Sequence, residues 1–304
     1  MSKKNNIFFS LVCLPRTGST LFLNVLNSLK NTKCFNQSFN NISLEILNIF
    51  YKKKLNKKKK ILLNSYLFRN KKYLNQFVKF ISYGKFNILE DAQKKNQYGE
   101  SFKNFLIQKK NFNFSKFYKK NLLLNDKNYI LGSKEVSSDY FINYYLTNKI
   151  KVILLVRNPF DYIYSCMYGK NNFINQKKYS INHFLLRWKY LYKHHNLSKK
   201  DLLIIKFEDL LLNNKITIRK LSKFLNTSTT GSKIKYINNS SHHKKLNYLD
   251  KKTIFYSLKK LNKKVIIKIF NSTKKELESL GYLSSYKKIK NFDELKKKLI
   301  ENMI

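Results

Sequence analysis

Proline is almost missing from this chain. Two prolines, Pro15 and Pro159, and seven glycines are spread over 304 residues, so no Pro- or Gly-rich linker divides it. One domain over residues 1–304 is expected, and that length is enough for a sizeable α/β core. Acidic residues are also few: 17 Asp and Glu stand against 62 Lys and Arg, a formal net charge of +45. Three cysteines, Cys13, Cys34 and Cys166, make no CxxC pair and no even-numbered framework, which excludes a disulfide scaffold and fits a reducing compartment. No apolar run reaches the length of a membrane span. Lys3 and Lys4 precede a short apolar run that Pro15 and Arg16 cut off. No secretory signal is therefore expected, and a cytoplasmic location is. The histidines have no metal-ligand spacing, since neighbours such as His194 and His195 point apart on a helix; no metal is expected.

What the chain does have is lysine. A charge this positive invites a nucleic-acid reading. The lysines, however, are scattered along every segment beside heavy use of Asn, Ile, Phe and Tyr, residues that share A/T-rich codons. That is a composition bias and no focused patch, so no specific nucleic-acid partner is expected. Against this background the avoided residues stand out: both prolines and two of the five arginines, Arg16 and Arg157, fall in just two stretches.

The first stretch is residues 7–29, IFFSLVCLPRTGSTLFLNVLNSL. Residues 7–14 are a short apolar run with β-branched and aromatic members, the pattern of a strand covered on both faces. Pro15 stops it. Gly18 supplies the backbone freedom of a tight loop. Ser19 and Thr20 open a helix in which Leu21, Val25 and Leu29 recur at helical spacing. A loop feeding a helix start points free N–H groups and the positive dipole end at one place, an anion site, and Arg16 adds a permanent charge beside it. A Walker A loop would need GxxxxGK[ST]; this one has a single glycine and no lysine before Ser19-Thr20.

The second stretch is residues 151–169, KVILLVRNPFDYIYSCMYG. A continuous apolar strand ends in Arg157. Asn158 is a good N-cap, Pro159 suits the first helical position, and Asp161 suits the dipole. Ser165 lies one turn beyond Asp161 on the same helix face, so Arg157 and Ser165 can converge on one dianion.

PRTGST resembles the 5′-phosphosulfate loop of sulfotransferases, which cradles PAPS (3′-phosphoadenosine 5′-phosphosulfate). Arg157, Pro159, Asp161 and Ser165 match in register that family's Arg-x-Pro-x-Asp-x-x-x-Ser pattern for the 3′-phosphate; where the family often has a tyrosine two places after the serine, Met167 stands here. Residues 201–212, DLLIIKFEDLLL, are similar to the Tyr-Glu-Asp-Leu strand that follows, with Phe207 for tyrosine. Residues 276–283, ELESLGYL, are similar to the closing Leu-Gly-Tyr segment. The resemblance implies a three-layer α/β/α fold with a central parallel sheet, related to P-loop NTPases. It implies PAPS as co-substrate, held by Arg16, Thr17, Gly18, Ser19 and Thr20 at the 5′ end and by Arg157 and Ser165 at the 3′ end. A basic loop usually closes over the nucleotide in this family, and His242, His243 and Lys244 are candidates for it. The acceptor is a hydroxyl group, and by analogy with the family a saccharide or glycolipid.

Sulfonate transfer needs the acceptor hydroxyl to lose a proton, so a base within reach helps. No histidine lies between Arg16 and Arg157. Glu135 is the candidate base, with Lys134 to meet sulfonate oxygens and Arg16 to offset charge on the leaving oxygen. Residues 129–131 read as a strand that Gly132 to Val136 leave, so a surface Lys-Glu pair is the plain alternative; Glu90, Asp91 and Glu100 are weaker candidates. Residues 31–128 read as a helical insertion on the acceptor side, with short helices around 42–50, 61–80 and 102–118. Residues 182–195, with the single tryptophan Trp188, and residues 214–226 read as amphipathic helices. Glu208 and Asp209 are read as orienting nearby loops. The core spans about 7–283, and 284–304 is a lysine-rich amphipathic tail. A P-loop kinase or NTPase, a basic nucleic-acid binder and an inactive relative are the alternatives.

Overall fold

The computed structural model describes residues 6–36, 114–125, 129–136, 142–168, 180–192, 200–229, 254–287 and 289–301. Within them five strands form a wholly parallel sheet: β1 (Ile7–Cys13), β2 (Thr32–Asn36), β3 (Ile130–Val136), β4 (Lys151–Val156) and β5 (Leu202–Lys206). Their order is β2-β3-β1-β4-β5, which puts the apolar run of the first stretch in the middle. A central strand of a parallel sheet is covered on both faces, and that is why β1 reads as continuous rather than alternating hydrophobicity.

The helices are α1 (Ser19–Asn27), α2 (Phe114–Asn125), α3 (Ile142–Thr147), α4 (Pro159–Tyr168), α5 (Ile181–Tyr192), α6 (Phe207–Leu212), α7 (Asn214–Leu225), α8 (Lys263–Ser279) and α9 (Phe292–Glu301). They divide between two apolar clusters, one on each face of the sheet. Phe22, Val25 and Leu26 of α1 and Leu221 and Leu225 of α7 meet Phe9, Leu11 and Cys13 of β1. Tyr118 of α2, Phe160 and Ile163 of α4, Trp188 of α5 and Ile266 and Ile269 of α8 meet Val12, Leu131 and Leu154 on the opposite face. The expected three-layer α/β/α arrangement is therefore present. No helix among the described residues is long and apolar enough to cross a membrane.

Three readings of the sequence need correction. β3 does not end at Leu131. It runs to Val136 with all seven residues buried, because it pairs with β1 from Ile7↔Ile130 to Cys13↔Val136 and with β2 on its other edge. The weak strand preference of Gly-Ser-Lys-Glu is overridden by two neighbours. Gly132 serves packing here, since a Cβ at that position would come within 2.5 Å of the Phe9 ring. Secondly, the segment read as a helical insertion opens with β2. TKCFN is too short and mixed to announce a strand, and its outer edge is satisfied locally: Asn27 Nδ2 donates to the Cys34 carbonyl (3.1 Å), and the Cys34 N–H donates to Asn27 Oδ1 (2.7 Å). Thirdly, the core does not stop near residue 283, for Leu295 and Leu299 of α9 are buried in it. The helices read at 42–50 and 61–80 lie outside the described residues. Of 102–118, the described part belongs to α2.

Tyr118 is the strongest test of how α2 is held. Its hydroxyl, fully buried, donates to the Phe9 carbonyl (2.6 Å) and accepts from the Ser133 N–H (3.1 Å), joining two neighbouring strands. Tyr118→Phe removes the one hydroxyl that meets both backbone groups. The expected cost is about 1–3 kcal/mol in denaturant unfolding, with no change in far-UV dichroism; a variant as stable as the parent contradicts the contact. A second prediction concerns pH. Burial, with Arg187 adding to it, pushes His183 down from 6.5 to about 4. The folded protein holds this imidazole neutral while the unfolded chain protonates it near 6.5, so its contribution is present above 6.5 and lost as pH falls toward 4. His183→Gln should flatten that part of the stability profile, and an unchanged acid limb counts against it.

Candidate active site

The chain leaves β1, β4 and β5 at the same edge of the sheet, because Cys13 aligns with Leu155 and Val156 with Lys206. Open parallel sheets bind ligands at this carboxyl edge, where successive connections diverge to either side. The loop after β1 is tightly shaped. Arg16 has φ 67° and Gly18 φ 80°, so a non-glycine residue is held in the left-handed region at a cost of order 1 kcal/mol. Thr17 Oγ1 donates to the Leu14 carbonyl at 2.8 Å and closes the turn. Ser19 is the first residue of α1, and the Phe22 N–H donates back to the Gly18 carbonyl (3.1 Å), while no side chain among the described residues caps the helix. The first-turn N–H groups and the dipole are thus left for whatever the loop encloses.

Gly18 is needed for a second reason. A Cβ there would sit 2.1–2.6 Å from the ring of Phe207, the first residue of α6. The same ring lies under the Arg157 guanidinium, 5.3 Å from its carbon, as a cation–π support. Phe207 therefore stands between the loop after β1 and the arginine after β4.

The arginines cross. Arg157 Nη1 donates to the Arg16 carbonyl (3.0 Å), and Arg16 Nε donates to Ser165 Oγ (3.0 Å). Arg157 and Ser165 were expected to converge on one dianion; in the structure Arg16 joins both, through its carbonyl and its Nε. Arg157 Nε is buried and has no hydrogen-bond partner among the described residues. Thr17 and Ser19 are buried and Thr20 is exposed at the start of α1.

The loop after β4 is fixed by a buried polar cluster. Asn158 caps α4, its Oδ1 accepting from the Asp161 N–H (2.8 Å), and Pro159 takes the first helical position. Asn158 Nδ2 donates to Asp161 Oδ2 (2.8 Å) and to Glu208 Oε1 (2.7 Å). Asp161 was read as a dipole partner, but its carboxylate mainly holds another segment: it accepts from the N–H groups of Phe255 (2.7 Å) and Ser257 (3.1 Å). Phe255 has φ 54°, so this second strained turn is pinned by that carboxylate. Burial pushes the Glu208 carboxyl up, against the opposing pull of the Asn158 N–H, the Tyr282 hydroxyl and the Arg157 charge.

Lys134 and Glu135 are neither on the surface nor side by side. Both are buried, at 2% and 0% exposure, and as strand neighbours they project to opposite faces. Lys134 lies on the face of Gly132, Cys13 and Cys34, with α1; burial lowers its pKa, and the two thiols partly oppose that. Burial likewise raises the pKa of Cys13 and of Cys34. Glu135 lies on the other face and accepts a short hydrogen bond from the Ser133 hydroxyl. His242, His243 and Lys244, and the weaker candidates Glu90, Asp91 and Glu100, lie outside the described residues. Among the described residues no group of His, Cys, Asp and Glu is placed to hold a metal ion.

A model of the sulfotransferase domain matches residues 9–280, most of the chain. The protein belongs to the sulfotransferase domain family. No curated protein matches it in sequence. Among solved structures, the sulfotransferase domain of the Synechococcus PCC 7002 olefin synthase is 15% identical with a TM-score of 0.49, over 90% of this chain and 97% of that one. The sulfotransferase domain of the curacin biosynthetic pathway is 14% identical with a TM-score of 0.47, over 89% and 99%. A mouse sulfotransferase crystallised with PAP is 12% identical with a TM-score of 0.47, over 98% and 89%.

Family membership supports a transferase. Three residues of this candidate site were not foreseen in their contacts. Trp188 was read only as part of an apolar helix face, yet its Nε1 donates to the Arg157 carbonyl at 2.8 Å; its being the single tryptophan was the available signal. Phe207 and Tyr282 gave no sign of contacting Gly18 or Glu208, because both contacts span long sequence separations.

Gly18→Ala should cost more than the ordinary left-handed penalty of about 1 kcal/mol, since the new Cβ meets an aromatic ring as well. Combining it with Phe207→Ala should recover part of the loss in a denaturant double-mutant cycle. Strictly additive costs would show that the ring and the glycine do not touch.

Proposed function

We propose that this sulfotransferase-family protein transfers a sulfonate from PAPS to an acceptor hydroxyl, on a saccharide or glycolipid by family analogy. The observation that carries the donor assignment is Arg157: a permanent cation whose buried Nε has no hydrogen-bond partner among the described residues and whose Nη1 lies 3.0 Å from the Arg16 carbonyl, beside a helix start that no described side chain caps. A lone buried donor costs free energy unless an acceptor meets it, and a 3′-phosphate offers three oxygens. In this reading the N–H groups around Thr17, Gly18, Ser19 and Thr20 hold the 5′-phosphate, and Arg157 and Ser165 hold the 3′-phosphate. The mouse protein that aligns with the chain is crystallised with PAP, which supports the same donor.

PAPS supplies an activated sulfonate on a phosphosulfate anhydride. Arg16, placed between the helix start and Ser165, offsets the charge that grows on the leaving phosphate oxygen. Lys134, on the α1 face, meets the sulfonate oxygens. Glu135 is the proposed base, and to serve it the acceptor hydroxyl must reach the end of β3 on the other face. His242 and Lys244 are proposed to cover the nucleotide. The scheme calls for no metal. Residues 1–304 act as one domain in this account, with the 31–128 insertion proposed to contribute to the acceptor side.

Arg157→Ala decides the donor assignment. Losing a charge-assisted contact to a buried partner commonly costs a few kcal/mol, so PAP affinity should fall roughly a hundredfold by calorimetry, while thermal unfolding shifts little. Undiminished PAP binding by the variant would mean that the 3′-phosphate lies elsewhere.

A further inference from the structure

The peptide between Arg157 and Asn158 is gripped at both of its polar ends. Its carbonyl accepts from Trp188 Nε1 at 2.8 Å, and its N–H donates to Glu208 Oε1 at 2.9 Å. With both groups fixed, the peptide plane cannot rotate, and the direction in which Arg157 leaves the backbone is set. The residue before Glu208 is Phe207, whose ring carries the guanidinium. Two consecutive residues after β5 thus hold the two ends of one arginine. Glu208 is itself held: its second oxygen accepts from the Tyr282 hydroxyl at 2.7 Å, and both residues are essentially fully buried.

A buried carboxylate is a costly way to stabilise a core. Apolar side chains of similar volume commonly do at least as well, and burial here works against the charged form. Every hydrogen bond made by the carboxylate oxygens to another element goes to Asn158 or Tyr282 among the described residues. That pattern suits control of one backbone position better than general cohesion.

We propose that Glu208, oriented by Tyr282, is a positioning residue for the donor: it aims Arg157 by fixing the Arg157–Asn158 peptide, so that discrimination for a 3′-phosphate depends on a glutamate and a tyrosine that never touch the nucleotide. The inference rests on the donor reading above and adds to it a role for the Phe-Glu-Asp and Leu-Gly-Tyr segments. It also explains why the end of α8 bears on a site formed by loops far away in sequence.

The test is calorimetric titration of the full chain with PAP and with ADP, which lacks the 3′-phosphate, alongside thermal unfolding. Three variants are compared with the parent: Glu208→Ala, Glu208→Gln and Tyr282→Phe. A positioning role predicts that Glu208→Ala weakens PAP binding roughly tenfold or more while ADP binding changes by no more than about twofold. Glu208→Gln keeps one oxygen to accept from Asn158 and turns the other contact round, its amide donating to the Tyr282 hydroxyl, so it should retain the PAP preference to within about threefold. Tyr282→Phe should lose an intermediate share of that preference. A merely structural role lowers the melting temperature and leaves the PAP-to-ADP ratio unchanged, and that result overturns the proposal. If Glu208→Ala fails to fold, Tyr282→Phe decides by the same ratio. A parent protein that does not prefer PAP would overturn the donor reading and this inference with it; a parent that prefers PAP and variants that all keep the preference overturn the inference alone.

Discussion

Arg157 Nη1 donates to the Arg16 carbonyl across 3.0 Å, and this hydrogen bond joins loops 141 residues apart into one surface. Much of the structure serves to make it possible. The sheet order brings β1 and β4 side by side, so the loops that leave them share an edge. The left-handed Arg16 presents its carbonyl to Arg157, and the Thr17 hydroxyl closes the turn around it by donating back to the Leu14 carbonyl. Phe207 fills the space between the two loops, so that neither can move inward without the other. Removing the constraint would leave two separate turns with no hydrogen bond to fix their spacing.

Buried polar groups give the site its rigidity. Asn158, Asp161, Glu208 and Tyr282 form a chain of hydrogen bonds from the start of α4 to the end of α8, with one branch to the turn at Phe255. Such a network is costly when incomplete and specific when complete, since each member has few alternative partners in a dry interior. Among the described residues Lys134 is the buried lysine, and the polar network at the site contains no lysine.

The two loops of the candidate site were legible in the sequence because their residue types act locally. Proline, glycine, an N-cap and a strand-ending arginine each do their work within a few residues, and the scarcity of proline and arginine made them conspicuous. β1, β4 and β5 were legible for a related reason, being short apolar runs. β2 was not, because TKCFN owes its strand conformation to β3 and to the Asn27 amide. Lys134 and Glu135 misled for the same reason: a polar stretch reads as a strand end, and only pairing on both edges draws it inside. The contacts of Phe207, Trp188 and Tyr282 could not be read at all, since nothing local marks which distant backbone group a buried aromatic will meet.

The most direct measurement is calorimetric titration of the unaltered protein with PAP beside ADP. Two loops set at a fixed spacing for the two ends of a 3′,5′-bisphosphate should bind PAP tightly and respond little to ADP. Equal or stronger binding of ADP would contradict the account, for it would mean that Arg157 reads no 3′-phosphate and that the crossing of the two arginines serves some other ligand.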